Sequence, residues 1–236
     1  MSLQSETDIT RNQILARLPD EERERLRPYF EIVSLSHGDH VIVPDVPIRD
    51  VHFPLNCLLS LVTLMSDGAC VESGIIGREG MSGIPVILDA TQTTMPTFTQ
   101  IPGEAVRIKA EIFKAEYVRR GALHMLMNRY MHTVVVIGSQ TAACNALHQA
   151  EARFCRWLLM SADGIGSEEL NITHEFLGVM LGVRRATVSE IAAKFQSEGI
   201  IAYKRGRLQI LSRERLERSV CECYAKTRAE YTRLFA

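Results

Sequence analysis

The chain has 236 residues, 46% of them hydrophobic, with 27 Lys and Arg set against 28 Asp and Glu. That length supports one large core or two modest ones, and a net charge of −1 excludes a protein that is a polycation throughout. No apolar run approaches the roughly 20 residues that span a bilayer. The N-terminus has no positively charged start followed by an apolar run, so a cytoplasmic protein with no membrane partner is expected.

Residues 1–9 are polar. Residues 10–28 read as helical pieces, with Ile14, Leu15 and Leu18 periodic and Pro19 opening a second, charged segment from Glu21 to Arg27. From about Tyr29 to Lys109 the texture changes. Short apolar runs (Glu31–Leu35, His40–Val43, Val51–Phe53, Leu58–Met65, Val71–Ile76, Gly83–Leu88, Met95–Ile101 and Ala105–Ile108) alternate with Gly, Pro, Asp and Asn. Strands at such regular spacing predict a β-sandwich, a barrel or a jelly roll, and Gly68 in Ser66-Asp67-Gly68 marks a hairpin turn.

A long helix follows. Leu123, Met127, Tyr130, Val134, Ile137, Thr141, Cys144 and His148 are spaced alternately by four and three residues, which is a heptad stripe and predicts a two-helix seam. The β-branched Thr133–Val136 run and Gly138 are weak helix formers that count against it. The stripe assigns residues 119–148 to a homodimer axis, between a roll at 10–118 and a C-terminal domain at 149–236.

In that last domain, Thr173 to Ile191 reads as two short helices about a tight turn. Phe176, Leu177, Met180 and Leu181 form one apolar face, Gly182 supplies the left-handed residue that ends the first helix, and Thr187, Val188 and Ile191 carry the second face. This is the pattern of a helix-turn-helix, whose second helix can enter the major groove of double-stranded DNA. Arg184, Arg185, Thr187, Ser189 and Glu190 are then the exposed side chains. Beyond Gly199, Ile201–Tyr203 and Leu208–Leu211 read as two strands about a turn carrying Lys204, Arg205 and Arg207. Such a hairpin is a wing suited to the phosphate backbone. From Arg184 to Arg213 seven cations, including Lys194 and Arg213, face only Glu190 and Glu198, the charge excess expected of one DNA-contacting face.

The six cysteines show no metal-binding framework. Only Cys221 and Cys223 are close, one residue apart, and no second pair accompanies them. Free, mostly buried thiols and no metal or other cofactor are expected. The competing class is a metal-dependent, cupin-like enzyme or an effector-binding protein that uses the β region, and for a metal site His37, Asp39 and His40 are the only close ligand candidates.

The order β-roll, long helix, winged helix resembles the Crp/Fnr superfamily of bacterial transcription regulators over nearly the whole chain. The likeness is strongest over 149–213, where Arg153, Trp157-Leu158-Leu159, Thr173, Gly178, Gly182, Arg185, Thr187 and Val188 stand at the family's recurring positions. It implies an α+β protein that binds a palindromic operator as a homodimer, contacts RNA polymerase and has no enzymatic activity. It also implies a phosphate contact from Thr173 and base contacts from the Arg185, Ala186, Ser189 and Glu190 positions. Many members carry an acidic residue where this chain has Ala186 and a cation where it has Glu190, so a different operator is expected. Arg184 and Arg185 are the first choices for base readout, because a guanidinium bridges two guanine acceptors.

The roll resembles the family's cyclic-nucleotide-binding fold. The matching stretch supplies a candidate effector pocket at Arg78, Glu79, Gly80, Met81, Ser82, Gly83, Thr94 and Thr97. No ribose-binding glutamate follows Gly83 and no arginine stands near Thr94, so a buried cyclic phosphate would lack its charge partner. Any small-molecule effector is therefore expected not to be cyclic AMP. The family's N-terminal iron–sulfur cysteine cluster is absent, the first cysteine being Cys57. His37, His40, His52 and His124 are read as structural rather than haem ligands.

Overall fold

The computed structural model describes residues 9–68 and 70–236. Two antiparallel sheets form the roll. Strands β1 (Glu31–Leu35), β3 (Asp50–Pro54) and β7 (Gly103–Lys109) pair in the order β1-β7-β3. Strands β2 (His40–Ile42), β4 (Leu58–Leu64), β5 (Cys70–Ile76) and β6 (Thr97–Ile101) pair in the order β2-β6-β4-β5. Registers such as Val51↔Ile108 and Phe53↔Val106 set apolar side chains beside each other, and all four are buried in the roll's core. Gly68 makes the β4–β5 turn at φ +85°.

One expected strand is a helix. Gly83–Leu88 holds α3 (Ile84–Ile87), with α1 (Gln13–Ala16) and α2 (Asp20–Leu26) before it in the chain. Pro85 lies in the first turn of α3, where its missing N–H costs nothing. Gly83 precedes it at φ +90°, and a Cβ there would stand 2.7 Å from Val51 Cγ1. A run that is apolar on every side cannot be assigned to strand or helix from periodicity alone.

Polar side chains fasten the N-terminal helices. Buried Asn12 accepts from the Ile14 and Leu15 amides, capping α1, and donates to the Pro54 and Gly80 carbonyls at 3.0 and 2.9 Å. The Glu22 carboxylate of α2 accepts from the Ala122 and Leu123 amides at 2.6 and 2.8 Å. It thereby caps the long helix α5 (Ala122–Leu147), which follows α4 (Ala110–Tyr117), and its negative charge suits that helix N-terminus.

The heptad stripe on α5 is a seam within the chain rather than between chains. Leu123, Met127 and Tyr130 belong to the roll's core, and Val134 and Ile137 line a cavity beneath β5. Thr141 accepts from Arg156 at 2.8 Å, and Cys144 is buried among other cysteines. The partner is the chain's own last helix, α10 (Cys223–Leu234), which packs along α5. Tyr231, Leu234 and Phe235 reach the roll's core from it. A heptad pattern records that a helix has a partner, not whose chain supplies it. The face of α5 left outward carries Met125 and Val135, 60% and 68% exposed, followed by exposed Gly138, Ala142 and Ala146.

The C-terminal head consists of α6 (Ala150–Ile165), β8 (Glu169–Asn171), α7 (His174–Leu181), α8 (Arg185–Ser197), β9 (Ile201–Lys204), β10 (Arg207–Ile210) and α9 (Arg213–Ser219). Its three strands pair in the order β8-β10-β9. Phe154, Leu158, Leu177, Val188, Phe195 and Leu208 form its centre.

The head docks on the roll through α6 and α7. Trp157 Nε1 donates to Glu72 Oε1 at 2.9 Å, and Ser60 Oγ donates to Glu72 Oε2 at 2.7 Å. Phe176 packs edge-on against His37 and Phe98, with ring centroids 5.3 and 6.1 Å away. Burial raises the Glu72 carboxyl to about 7 against the pull of these donors, since desolvation disfavours the charged form.

Candidate nucleic-acid interface

The helix-turn-helix is set by one cap and two glycines. Thr173 Oγ1 accepts from the Phe176 amide at 3.2 Å and caps α7, which satisfies an amide with no helical partner. Gly182 ends α7 at φ +61°. A Cβ at Gly178 would stand 2.9 Å from the Val183 carbonyl oxygen, so only glycine lets the turn cross this close to α7. Arg153 closes the other end, donating to the Leu181 carbonyl from α6.

The geometry brings most of the expected contact residues to one surface. Arg184 occupies the cap position of α8 and Arg185 its first turn; with Ala186 and Glu190 they are exposed, while Thr187 is half-buried. The wing turns through Arg205 and Gly206 at φ +50° and +81°, the two-residue hairpin in which both centre residues are left-handed. Lys204, Arg205 and Arg207 are exposed at its tip. Exposed Thr173 is beside the wing, its methyl 3.9 Å from where a Cβ on Gly206 would lie. Among the described residues no ion pair engages Arg184, Arg185, Lys204, Arg205 or Arg207.

Two expected members of the charged face and one expected DNA contact are committed elsewhere. Lys194 holds Glu151 at 2.7 Å. Arg213 bridges Asp163, Glu168 and Glu217, tying α6 to α9. Ser189 donates to the Arg185 carbonyl at 3.1 Å and lies 3.0 Å from His174 Nδ1, so its hydroxyl faces the scaffold. Counting charge along the chain cannot separate a cation paired across helices from one left in solvent.

The sequence reading missed His174 and Tyr203. Their rings stack at 4.1 Å, and the Tyr203 hydroxyl donates to the Ile172 carbonyl at 3.1 Å. Together they fix the wing to the start of α7. Burial and the nearby Arg185 charge lower the His174 pKa, which favours the neutral ring. The signal was present in an aromatic on a strand two residues from the wing tip, but its partner lies across the domain.

The expected effector residues divide among several surroundings. Met81, Gly83 and Thr97 line a cavity of about 300 Å³ under α5, closed by Ile75, Tyr130, Val134 and Tyr231. Arg78 and Glu79 instead border a second cavity of about 540 Å³ beside α10. Gly80 lies against the Tyr130 hydroxyl, Ser82 Oγ accepts from the His52 amide at 3.0 Å, and Thr94 is exposed. No charged side chain lines the first cavity among the described residues.

The proposed cupin ligands do not converge. His37 Nδ1 meets the Gln100 carbonyl at 2.8 Å, Asp39 accepts from the Ser36 amide at 2.7 Å, and the His40 ring tilts against Phe98. The cysteines, read as separate thiols, do gather: the ligand atoms of Cys144, His148, Cys221 and Cys223 all lie within 4.8 Å of one another.

A helix-turn-helix with a basic wing, joined by a long helix to a β-roll, defines a winged-helix protein with an additional β domain. A family model of the Crp-like helix-turn-helix domain matches residues 152–219. Residues 152–219 thus carry a Crp-like helix-turn-helix domain, and the chain as a whole shares the fold of the solved regulators below.

A CRP-family transcriptional regulator from Thermus thermophilus superimposes with a TM-score of 0.63 at 19% identity, over 79% of this chain and 95% of its own. A structure described as a Crp/Fnr-family regulator, from Eubacterium rectale, gives 0.61 at 18%, over 89% and 98%. One described as a cyclic nucleotide binding protein, from Ruegeria pomeroyi, gives 0.63 at 16%, over 91% and 99%. At these identities the likeness establishes the fold. Comparison with curated protein sequences gives no match.

Proposed function

We propose that the protein is a transcription regulator that binds double-stranded DNA in a sequence-specific manner, reading a palindromic operator as a homodimer. The observation that carries this is the exposed set Arg184, Arg185, Lys204, Arg205 and Arg207, free of ion pairs among the described residues, on a recognition helix and its wing. Arg184 and Arg185 are assigned to base edges, where bidentate guanidinium contacts specify guanine. Thr173 and the wing cations are assigned to phosphates, which position the head.

Dimerisation is assigned to the outward face of α5, at Met125, Val135, Gly138, Ala142 and Ala146, because the stripe first expected there is occupied within the chain. A two-fold pair sets two recognition helices about one DNA turn apart, roughly 34 Å. The cavity beneath α5 is assigned to an uncharged, largely apolar effector, since its lining offers no cation to balance a phosphate. Such a ligand regulates only by preferring one arrangement of the heads. RNA polymerase is the expected protein partner of the DNA-bound dimer.

The test is selection of bound sequences from a random duplex pool by the full-length protein, with and without metabolite extract. An enriched inverted repeat supports the reading. Equal recovery of all sequences under both conditions would sink it.

A further inference from the structure

We infer that Cys144, His148, Cys221 and Cys223 form a four-ligand site for a single thiophilic divalent cation, zinc by its ligand set, at the hinge between α5 and the head. Cys144 Sγ lies 3.6 Å from Cys221 Sγ, and Cys223 Sγ lies 3.5 Å from His148 Nδ1. A tetrahedral zinc site, with Zn–S near 2.3 Å and Zn–N near 2.0–2.1 Å, requires edges of about 3.8 Å between sulfurs and about 3.6 Å between sulfur and nitrogen. The two measured pairs match those edges. A limit of 4.8 Å over the whole set suits one ion rather than a multinuclear cluster.

The surroundings are those of a ligand set rather than of a thiol-rich core. Gln140 Nε2 donates to Cys223 Sγ at 3.0 Å. His148 leaves the helix at the cap of α5 with extended backbone, which turns Nδ1 toward Cys223. Its Nε2 lies 3.2 Å from the Glu222 carboxylate, the outer-shell arrangement that orients a metal-bound imidazole and raises its basicity. All three cysteines are buried. Binding a divalent cation releases three thiol protons to solvent and leaves one excess negative charge. Buried Arg156, bonded to Thr141 one turn before Cys144, supplies the opposite charge.

The four ligands come from two places: the last turn and cap of α5, and the end of the α9–α10 linker with the first residue of α10. An ion there ties the end of the long helix to the start of the helix that runs back to the roll.

Full-length protein purified under reducing conditions is loaded with zinc or cobalt(II) alone. The expected result is one metal per chain, with the intense visible d–d bands and sulfur-to-metal charge transfer of tetrahedral thiolate-bound cobalt, and a raised unfolding temperature that a chelator reverses. Cys223→Ser and His148→Gln lose stoichiometric metal, while Cys57→Ser retains it. Glu222→Gln weakens affinity by about 10–100-fold. His148→Gln alters a half-buried side chain and keeps the test meaningful if a cysteine variant fails to fold. Substoichiometric metal in the parent, or a Cys144–Cys221 disulfide in its place, overturns the site, as does unchanged binding by His148→Gln. None of these readouts depends on DNA.

Discussion

Where the head meets the roll, a buried carboxylate is paired inside the chain: Trp157 and Ser60 both donate to Glu72. Along α8 and the wing, five cations stand in solvent without ion pairs among the described residues. The same small domain treats charge in two ways, and the reason is desolvation. A buried polar group without a partner costs about 1–3 kcal/mol, so the docking face must be self-complementary. An exposed cation costs nothing to leave open, and it remains available to a phosphate or a base.

The sharpest way to break this contrast is at the docking face. Trp157→Ala removes a buried ring from the head's core and the donor to Glu72, and is expected to cost about 3–5 kcal/mol of stability, read by denaturant unfolding. Next is Glu72→Gln. Because the folded-state carboxyl is raised to about 7, the native protein holds a proton that the unfolded chain releases near its ordinary value. Stability should then fall as pH rises from about 4.5 to 7 and level off above. Glu72→Gln should flatten that slope and be the more stable protein at pH 8, by on the order of 3 kcal/mol at most. A parent with no slope in this window would show that the carboxylate is ionised in the interface.

The open face should respond in DNA binding and hardly in stability. Arg185→Ala is expected to lose about 1–3 kcal/mol on the selected operator and to relax preference at one base position. Lys204→Ala should weaken all sequences alike and lower the salt slope by about one unit. If Lys204→Ala changes sequence preference instead, the division between base-reading helix and phosphate-binding wing fails.

The roll, the helix-turn-helix and the wing were legible because each is written locally. Alternating runs marked the strands, Gly182 marked the end of α7, and a Lys-Arg-Gly-Arg turn marked the wing. The lining of the roll's cavity was only half legible. Met81, Gly83 and Thr97 reach the cavity, but Arg78 turns away toward α10, and no spacing rule says which side of a loop an arginine leaves by. Ser189 illustrates the same limit from the other side. Its place on α8 suited a base contact, yet His174 and the Arg185 carbonyl hold its hydroxyl inward.

The order of residues alone specified the kind of element at each position and the chemistry available there: strands, a capped helical pair, a cationic turn, six thiols. Folding in three dimensions decided which of these meet. It covered the α5 stripe from within the same chain, by the roll's core and α10, because the period of an apolar seam does not name its partner. It paired Lys194 and Arg213 with acids from α6 and left the wing cations open. It also drew Cys144 to Cys221 across 77 residues of chain. A one-residue Cys-x-Cys spacing shows no four-ligand site until folding brings a helix end beside it.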